Sequence, residues 1–370
     1  MSINLFEPYR IGTMEVKNRF VRSATWDGTA DSSGAVTDTS VALYQKLAQG
    51  GVGLIISGYT FISPLGQATT GQYGVHTDDM ITGLRRLTGV AHEGGTKIVL
   101  QIVHAGINSG YLGKRGITMQ AVSKLERIRT QHREMTEEDI ESLISDYVAA
   151  ILRAREAGFN AVQLHGAHGY IMSQFLSPLF NLRRDRWGGS AENRRRFHLE
   201  LIQKARQAVG ADFPILIKFG VRDDEEGGLS LDEGLETARQ MEKEGIDAIE
   251  VSGGVGSSAV QLTRKGDTEN AYYRDRAAAV KKVVTIPVIA VGGIRSLEIS
   301  EDIVNSGDAD LISMSRPFIR EPDLISRWQR GETEPATCIS CNRCFRILAR
   351  GEPLECGEDR RLREKAARSN

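Results

Sequence analysis

The stretch AVQLHGAHGY, residues 161–170, sets two imidazoles and a phenol just past an apolar run. Neutral imidazoles donate hydrogen bonds to a carbonyl or a developing oxyanion, and a tyrosine can deliver a proton. His165, His168 and Tyr170 are therefore the candidate catalytic cluster. His165 caps the run, and if the chain stays extended, His168 and Tyr170 point the same way by the two-residue period of a strand. A lone histidine here would more often be structural, and the neighbouring tyrosine reverses that preference. HxxH also suits zinc, but no third ligand lies close by.

Two further polar residues interrupt apolar runs: Gln101 in KIVLQIV and Lys218 in ILIKF. Burying either without a partner costs about 1 to 3 kcal/mol or more, so each faces a polar ligand or a satisfied network. Gly292 and Gly293 follow the run PVIAV, and Ser315 and Arg316 follow DLISM. If these runs are adjacent strands, backbone N–H groups and a guanidinium converge on a phosphate site; a tight turn is the plain alternative for the glycine pair.

All four cysteines, Cys338, Cys341, Cys344 and Cys356, sit in one C-terminal segment. In a reducing compartment such clustering favours metal over disulfides. Zinc ribbons usually show two separated CxxC knuckles, whereas three close cysteines and a distant fourth suit a cubane [4Fe–4S] cluster better, with zinc second.

These residues need elements to position them. Eight β-rich runs can be counted, at 19–23, 52–57, 97–103, 161–165, 215–219, 248–252, 287–291 and 310–314. Most are continuously apolar, as in strands buried on both faces of a parallel sheet. Helix-period segments lie between them. One starts at Thr136 with Asp139 three residues on and stops at Gly158; another starts at Ser230 with Glu233 and stops at Gly245. The alternation predicts a (β/α)8 barrel over residues 1–332, with an open doubly wound sheet as runner-up. Residues 333–370 form the cysteine segment and a charged, solvated tail. The polar, Gly-rich stretch 104–136 is expected to lie over the active-site face.

Composition narrows the partners. The 370 residues carry 47 Lys+Arg against 48 Asp+Glu, a net charge of −1, so no basic field draws nucleic acid or anionic lipid. No apolar run approaches the ~18 residues of a membrane span, and the N-terminus lacks a signal-peptide pattern. A cytoplasmic protein with a small-molecule ligand is expected, and a homo-oligomer is compatible with the composition.

The stretch HGAHGYIMSQFLSPLFNLRRDRWGGSAENRRRF resembles the signature of the old yellow enzyme family of flavin-dependent ene-reductases. The likeness extends to NRFVRSAT, GGVGLIISG, LQIVHAG and DADLISMSRPFIREPDL. It implies a (β/α)8 barrel holding non-covalent FMN, reduced by NADH or NADPH. Ala24, Thr25 and Gly58 would lie along the isoalloxazine, Gln101 and Lys218 at its pyrimidine edge, and Gly292, Gly293, Ser315 and Arg316 on the phosphate. His165 and His168 would bind the substrate carbonyl, with Tyr170 as proton donor. Lysine at 218 replaces the more frequent arginine, and Trp26 stands where many relatives carry Thr or Cys. The RRDRWGG charges are expected to fix a loop and a helix start. The cysteine segment resembles the iron–sulfur motif of the larger 2,4-dienoyl-CoA reductase and trimethylamine dehydrogenase relatives, which implies the cluster; a cluster without those relatives' usual electron donor would need a separate electron-transfer partner protein. Two other readings stay open: an amine dehydrogenase of the trimethylamine dehydrogenase type, and a non-redox phosphate-binding barrel with a structural zinc module.

Overall fold

The computed structural model describes residues 3–255 and 271–369. Eight parallel strands follow in chain order: β1 (Phe20–Arg22), β2 (Leu54–Ile56), β3 (Lys97–Val103), β4 (Ala161–Gly166), β5 (Ile215–Gly220), β6 (Ala248–Ser252), β7 (Val288–Val291) and β8 (Leu311–Met314). Each pairs with its successor, and β8 returns to β1, so the sheet closes into a (β/α)8 barrel. Closure rules out the open doubly wound alternative. A short strand, Thr60–Phe61, adds to the upper part of β3.

The two-residue period divides the core. Val21, Leu54, Ile56, Val99, Ala161, Leu216, Ala248, Ile289 and Leu311 face inward and form one cluster with Ile11, Met14 and Val16 of the hairpin Tyr9–Ile11/Met14–Val16, which plugs the barrel floor. Their neighbours Ile55, Leu100, Val162, Ile217, Ile249 and Ile312 face outward against the helices. Burial on both faces is why the strands read as continuous apolar runs.

The caps form as expected. Thr136 and Asp139 close a reciprocal capping box on helix Glu137–Glu156, and the Ser230 hydroxyl accepts from Glu233 N at the start of helix Leu231–Lys243. Segment 104–136 folds into a short helix, Gly110–Gly113, and two paired strands, Met119–Ala121 and His132–Glu134. Arg183, buried beneath it, donates to Val122 O and Met135 O at 3.0 and 2.6 Å, so the RRDRWGG charges do hold a loop. The charged tail is a helix, Gly357–Ser369, exposed over most of its length. Among the described residues no helix is long and apolar enough to cross a membrane.

Candidate active site

Above the apolar floor the inward positions turn polar. In register, Gln101 lies beside Gln163, Lys218 lies between His165 and Glu250, and each belongs to the face that carries Val99, Ala161, Leu216 and Ala248 two residues earlier. Gln101 Nε2 donates to Gln163 Oε1 at 2.7 Å, and Gln163 Nε2 donates to Glu250 Oε2 at 2.8 Å. Lys218 Nζ meets Glu250 Oε1 at 2.8 Å, which also accepts from Ser23 Oγ and Ser313 Oγ, each at 2.8 Å. Lys218 further donates to Ser23 Oγ at 3.0 Å. Gln101 and Lys218 thus join a satisfied network whose hub is Glu250. Burial alone would raise the Glu250 pKa, but the Lys218 charge and the hydrogen bonds from Lys218, Ser23 and Ser313 outweigh it and hold the carboxyl below its usual range.

One layer higher stands the aromatic cluster. The His165 ring is 5.2 Å from His168, 4.9 Å from Tyr170 and 6.4 Å from Tyr59, edge-on to each. Tyr59, three residues past the end of β2, stacks on Tyr170 at 5.7 Å and 27°. The three sequence-derived residues do converge, but not through an extended chain. His168 takes φ 61° and Gly169 φ 75°, a left-handed turn after which Tyr170 caps helix Ile171–Leu176. Positive φ at a histidine is unfavourable. It is held by Asn108 Nδ2 and Gln174 Nε2, both donating to Gly169 O at 2.7 Å, and by His168 N donating to Gly253 O at 3.0 Å.

Both imidazoles are biased toward neutrality. His165 is driven well below the usual range by burial, then by His168 and Lys218, and its Nδ1 is buried without a hydrogen-bond partner. His168 is exposed, yet the protein packed around it still desolvates its ring. That desolvation first, and the Lys218 charge second, lower its pKa. Its Nε2 lies 2.8 Å from Ser252 Oγ at the end of β6.

The remaining sequence-derived residues ring the same end of the barrel. Ala24 and Thr25 follow β1 and are partly exposed; Thr25 Oγ1 lies 2.7 Å from Ser315 Oγ, just past β8. Gly58 follows β2, where an added Cβ would sit 3.0 Å from Thr25 O. Gly292 and Gly293 follow β7 with φ 108° and 78°. A Cβ on Gly292 would lie 2.6 Å from the Tyr272 ring, so the position demands glycine for both backbone and space. Arg316 opens helix Arg316–Arg320 and turns toward the C-terminal segment, donating to Asn342 Oδ1 at 2.9 Å and Ser340 O at 3.4 Å.

Gln163, Glu250, Tyr59 and Ser252 escaped the sequence reading. Gln163 and Glu250 interrupt apolar runs just as Gln101 and Lys218 do, and Tyr59 and Ser252 sit at strand ends, so the same two signals apply to all four.

The cysteine expectation is corrected. Among the described residues no group of three or more His, Cys, Asp or Glu side chains is placed to hold a metal ion, which overturns the [4Fe–4S] assignment of Cys338, Cys341, Cys344 and Cys356 and the zinc alternative with it. The four side chains border one surface cleft beside Arg316 as free thiols. Left-handed residues at Ser340 and Asn342, with φ 53° and 55°, shape the segment between them. Its carbonyls are held by Arg295 at Cys338 O and Arg316 at Ser340 O. Burial first raises the pKa of Cys338, of Cys356 and of Cys344, the last to about 11. The motive for an electron-transfer partner lapses with the cluster. The segment instead packs on the loop after β1: Leu354 N donates to Asp27 O at 2.9 Å, and Trp26 meets Phe345 edge-on at 6.3 Å.

Polar layer and rim cluster lie together at the C-terminal ends of the parallel strands, where barrels of this kind place their sites. The chain belongs to the NADH:flavin oxidoreductase / NADH oxidase family, which it matches over residues 4–334. It is 37% identical to an NADH oxidase of Thermoanaerobacter brockii over 343 residues, 92% of this chain and 53% of that protein. It is 36% identical to an NADPH dehydrogenase of Geobacillus sp. over 323 residues, 87% of this chain and 92% of that one. Among solved structures, a 2-naphthoyl-CoA reductase in complex with 2-naphthoyl-CoA superposes with TM-score 0.89 at 28% identity, covering 95% of this chain and 56% of that one. The chain therefore spans about half the length of the Thermoanaerobacter protein and of the naphthoyl-CoA reductase.

Proposed function

We propose that this chain is an FMN-dependent oxidoreductase of the ene-reductase type, which saturates the activated C=C bond of an α,β-unsaturated carbonyl compound. The observation that carries this reading is the convergence of His165, His168 and Tyr170 directly above the Lys218–Glu250 layer, at the rim of a family barrel.

The rim suits FMN. A buried His165 Nδ1 awaits a polar partner, and Ala24, Thr25, His168, Tyr170, Ser315 and Arg316 are left partly open to solvent around the same mouth. Ala24, Thr25 and Gly58 would border the isoalloxazine, Gln101 and Lys218 its pyrimidine edge, and Gly292, Gly293, Ser315 and Arg316 the phosphate. When bound, FMN supplies the hydride, drawn from NADH or NADPH. The protein supplies charge and protons. A cationic Lys218, balanced by Glu250, favours negative charge at the pyrimidine edge. The neutral imidazoles of His165 and His168 donate to the substrate carbonyl and stabilise the enolate-like charge that develops there. Tyr170 O–H protonates the α-carbon. The likeness to a reductase of an aryl thioester supports acyl thioesters, beside ketones, as candidate carbonyl substrates. In this reading residues 1–332 carry the flavin barrel and residues 333–370 close over its first loop.

The test follows both half-reactions by stopped flow under anaerobic conditions, with NADH, NADPH, an unsaturated ketone and methylated amines as probes. Alkene reduction with little amine oxidation is expected. Amine-dependent bleaching of the flavin without alkene reduction would transfer the assignment to an amine dehydrogenase.

A further inference from the structure

Hydride transfer from NADPH gives NADP+ and adds one negative charge to a flavin ring, because two electrons arrive with a single proton. The charge that a protein holds beside the ring therefore sets how readily the ring is reduced, and how strongly it reduces an acceptor afterwards. At the pyrimidine edge this chain offers Lys218, but not as a free charge. Its ammonium meets Glu250 Oε1 at 2.8 Å, and both side chains are buried. Lys218 on β5 and Glu250 on β6 are register partners, and neighbouring strands lie about 4.8 Å apart, so the two charges occupy one layer of the barrel. Against the burial that would raise its pKa, the Lys218 charge and the hydrogen bonds from Lys218, Ser23 and Ser313 keep the Glu250 carboxyl ionised.

The surroundings add little to that balance. Arg22 and Asp27, both buried, are bridged by Tyr44: the guanidinium lies 5.9 Å from its ring centroid, and its hydroxyl donates to Asp27 Oδ2 at 3.4 Å. Burial keeps His165 and His168 neutral, and Arg316 turns to Asn342 and Ser340. The polar layer thus sets one cation and one anion at the same height, with no net charge between them.

We propose that Glu250 cancels most of the Lys218 charge felt by bound FMN, and so keeps its reduction potential lower than Lys218 alone would set. The inference rests on the reading of the barrel as an FMN site with Lys218 at the pyrimidine edge. A flavin held low in this way is the stronger hydride donor, which suits weakly activated alkenes such as unsaturated esters and thioesters. Glu250 acts through Lys218 and touches no reacting atom, so it is a positioning residue.

The test measures the midpoint potential of the FMN-loaded protein by anaerobic spectroelectrochemistry, with free FMN in the same buffer as reference. The wild type should lie within about 30 mV of free FMN, the two-electron equivalent of a tenfold preference between the oxidised and reduced forms. Glu250→Gln should rise by about 30 mV or more, since one buried charge acts on another far more strongly than in water. Lys218→Met should fall, and the double variant should return near the wild-type value. By stopped flow, Glu250→Gln should speed flavin reduction by NADPH and slow reduction of methyl crotonate more than that of 2-cyclohexenone. A misfolded variant would slow both half-reactions. A wild-type potential more than about 30 mV above free FMN would overturn the proposal, whether or not Glu250→Gln folds. So would an unmoved potential in Glu250→Gln, or shifts of the same sign in Glu250→Gln and Lys218→Met. A wild-type chain that binds no FMN would instead overturn the reading on which the inference rests, so the two failures are distinguishable.

Discussion

Replacing Glu250 by glutamine removes one charge from the middle of the barrel and keeps the shape of the side chain. The carboxylate is fully buried and accepts from Lys218, Ser23, Ser313 and Gln163, each at 2.8 Å. An amide offers one acceptor and two donors in place of two acceptors. Turned with its oxygen toward Lys218, the amide sets a donor against Gln163 Nε2 unless Gln163 and Gln101 both flip; turned the other way, it sets a donor against the Lys218 ammonium, which cannot accept. In either orientation Lys218, 3% exposed, loses its carboxylate counter-charge and is left with neutral partners. Breaking a buried pair from one side costs about 3 to 5 kcal/mol, because the remaining charge is stranded in a low-dielectric interior. We predict a loss of that size in urea unfolding of flavin-free Glu250→Gln, with FMN excluded because ligand binding would add its own stabilisation. Lys218→Met should cost a comparable amount, while the double variant should recover roughly 2 kcal/mol of the summed losses, since it leaves no stranded charge. A Glu250→Gln cost below about 1 kcal/mol, or strict additivity of the two single losses, would refute the argument that the pair is mutually dependent.

Four further outcomes are expected. Tyr170→Phe should slow alkene reduction by roughly a hundredfold to ten-thousandfold while leaving flavin reduction by NADPH nearly intact; equal loss in both half-reactions, read by stopped flow, would point away from an acid role. Burial lowers His104 to about 4 and His198 to about 3 from the ordinary 6.5, so the unfolded chain binds protons that the folded one refuses. The corresponding stability is complete above pH 6.5 and drains as pH falls toward those values, by about 4 kcal/mol for the two groups between roughly pH 7.5 and pH 5. Urea midpoints at the two pH values check this, and His198→Leu should halve the drop; a midpoint insensitive to pH would contradict it. His198→Leu should also gain about 1 to 3 kcal/mol at neutral pH, because neither ring nitrogen of His198 has a partner. Gly292→Ala, forced to φ 108° with its Cβ 2.6 Å from Tyr272, should lose more than about 1 kcal/mol of stability and weaken FMN binding. Unchanged midpoint and unchanged affinity would show that the β7 turn is not so constrained.

The sequence by itself was enough for the barrel, because strands buried on both faces leave eight continuous apolar runs and helices announce their starts with Thr136 and Ser230. It was also enough to single out His165, His168 and Tyr170 as candidates, since side chains within a few residues of strand ends share one rim of such barrels. Tertiary structure decided everything that depends on ring closure. Gln163 and Glu250 became partners of Gln101 and Lys218 only once four strands were set in register, a relation that no local spacing encodes. The turn at His168, held by Asn108 and Gln174, replaced the extended chain that local periodicity favoured. At the cysteines, close spacing promised a metal centre, but whether thiols present their sulfurs to one point depends on the backbone and arginine anchors around them. Spacing along a chain constrains which side chains can share a strand face or a helix face; the direction in which they point after a turn is set by the neighbours that pack against it.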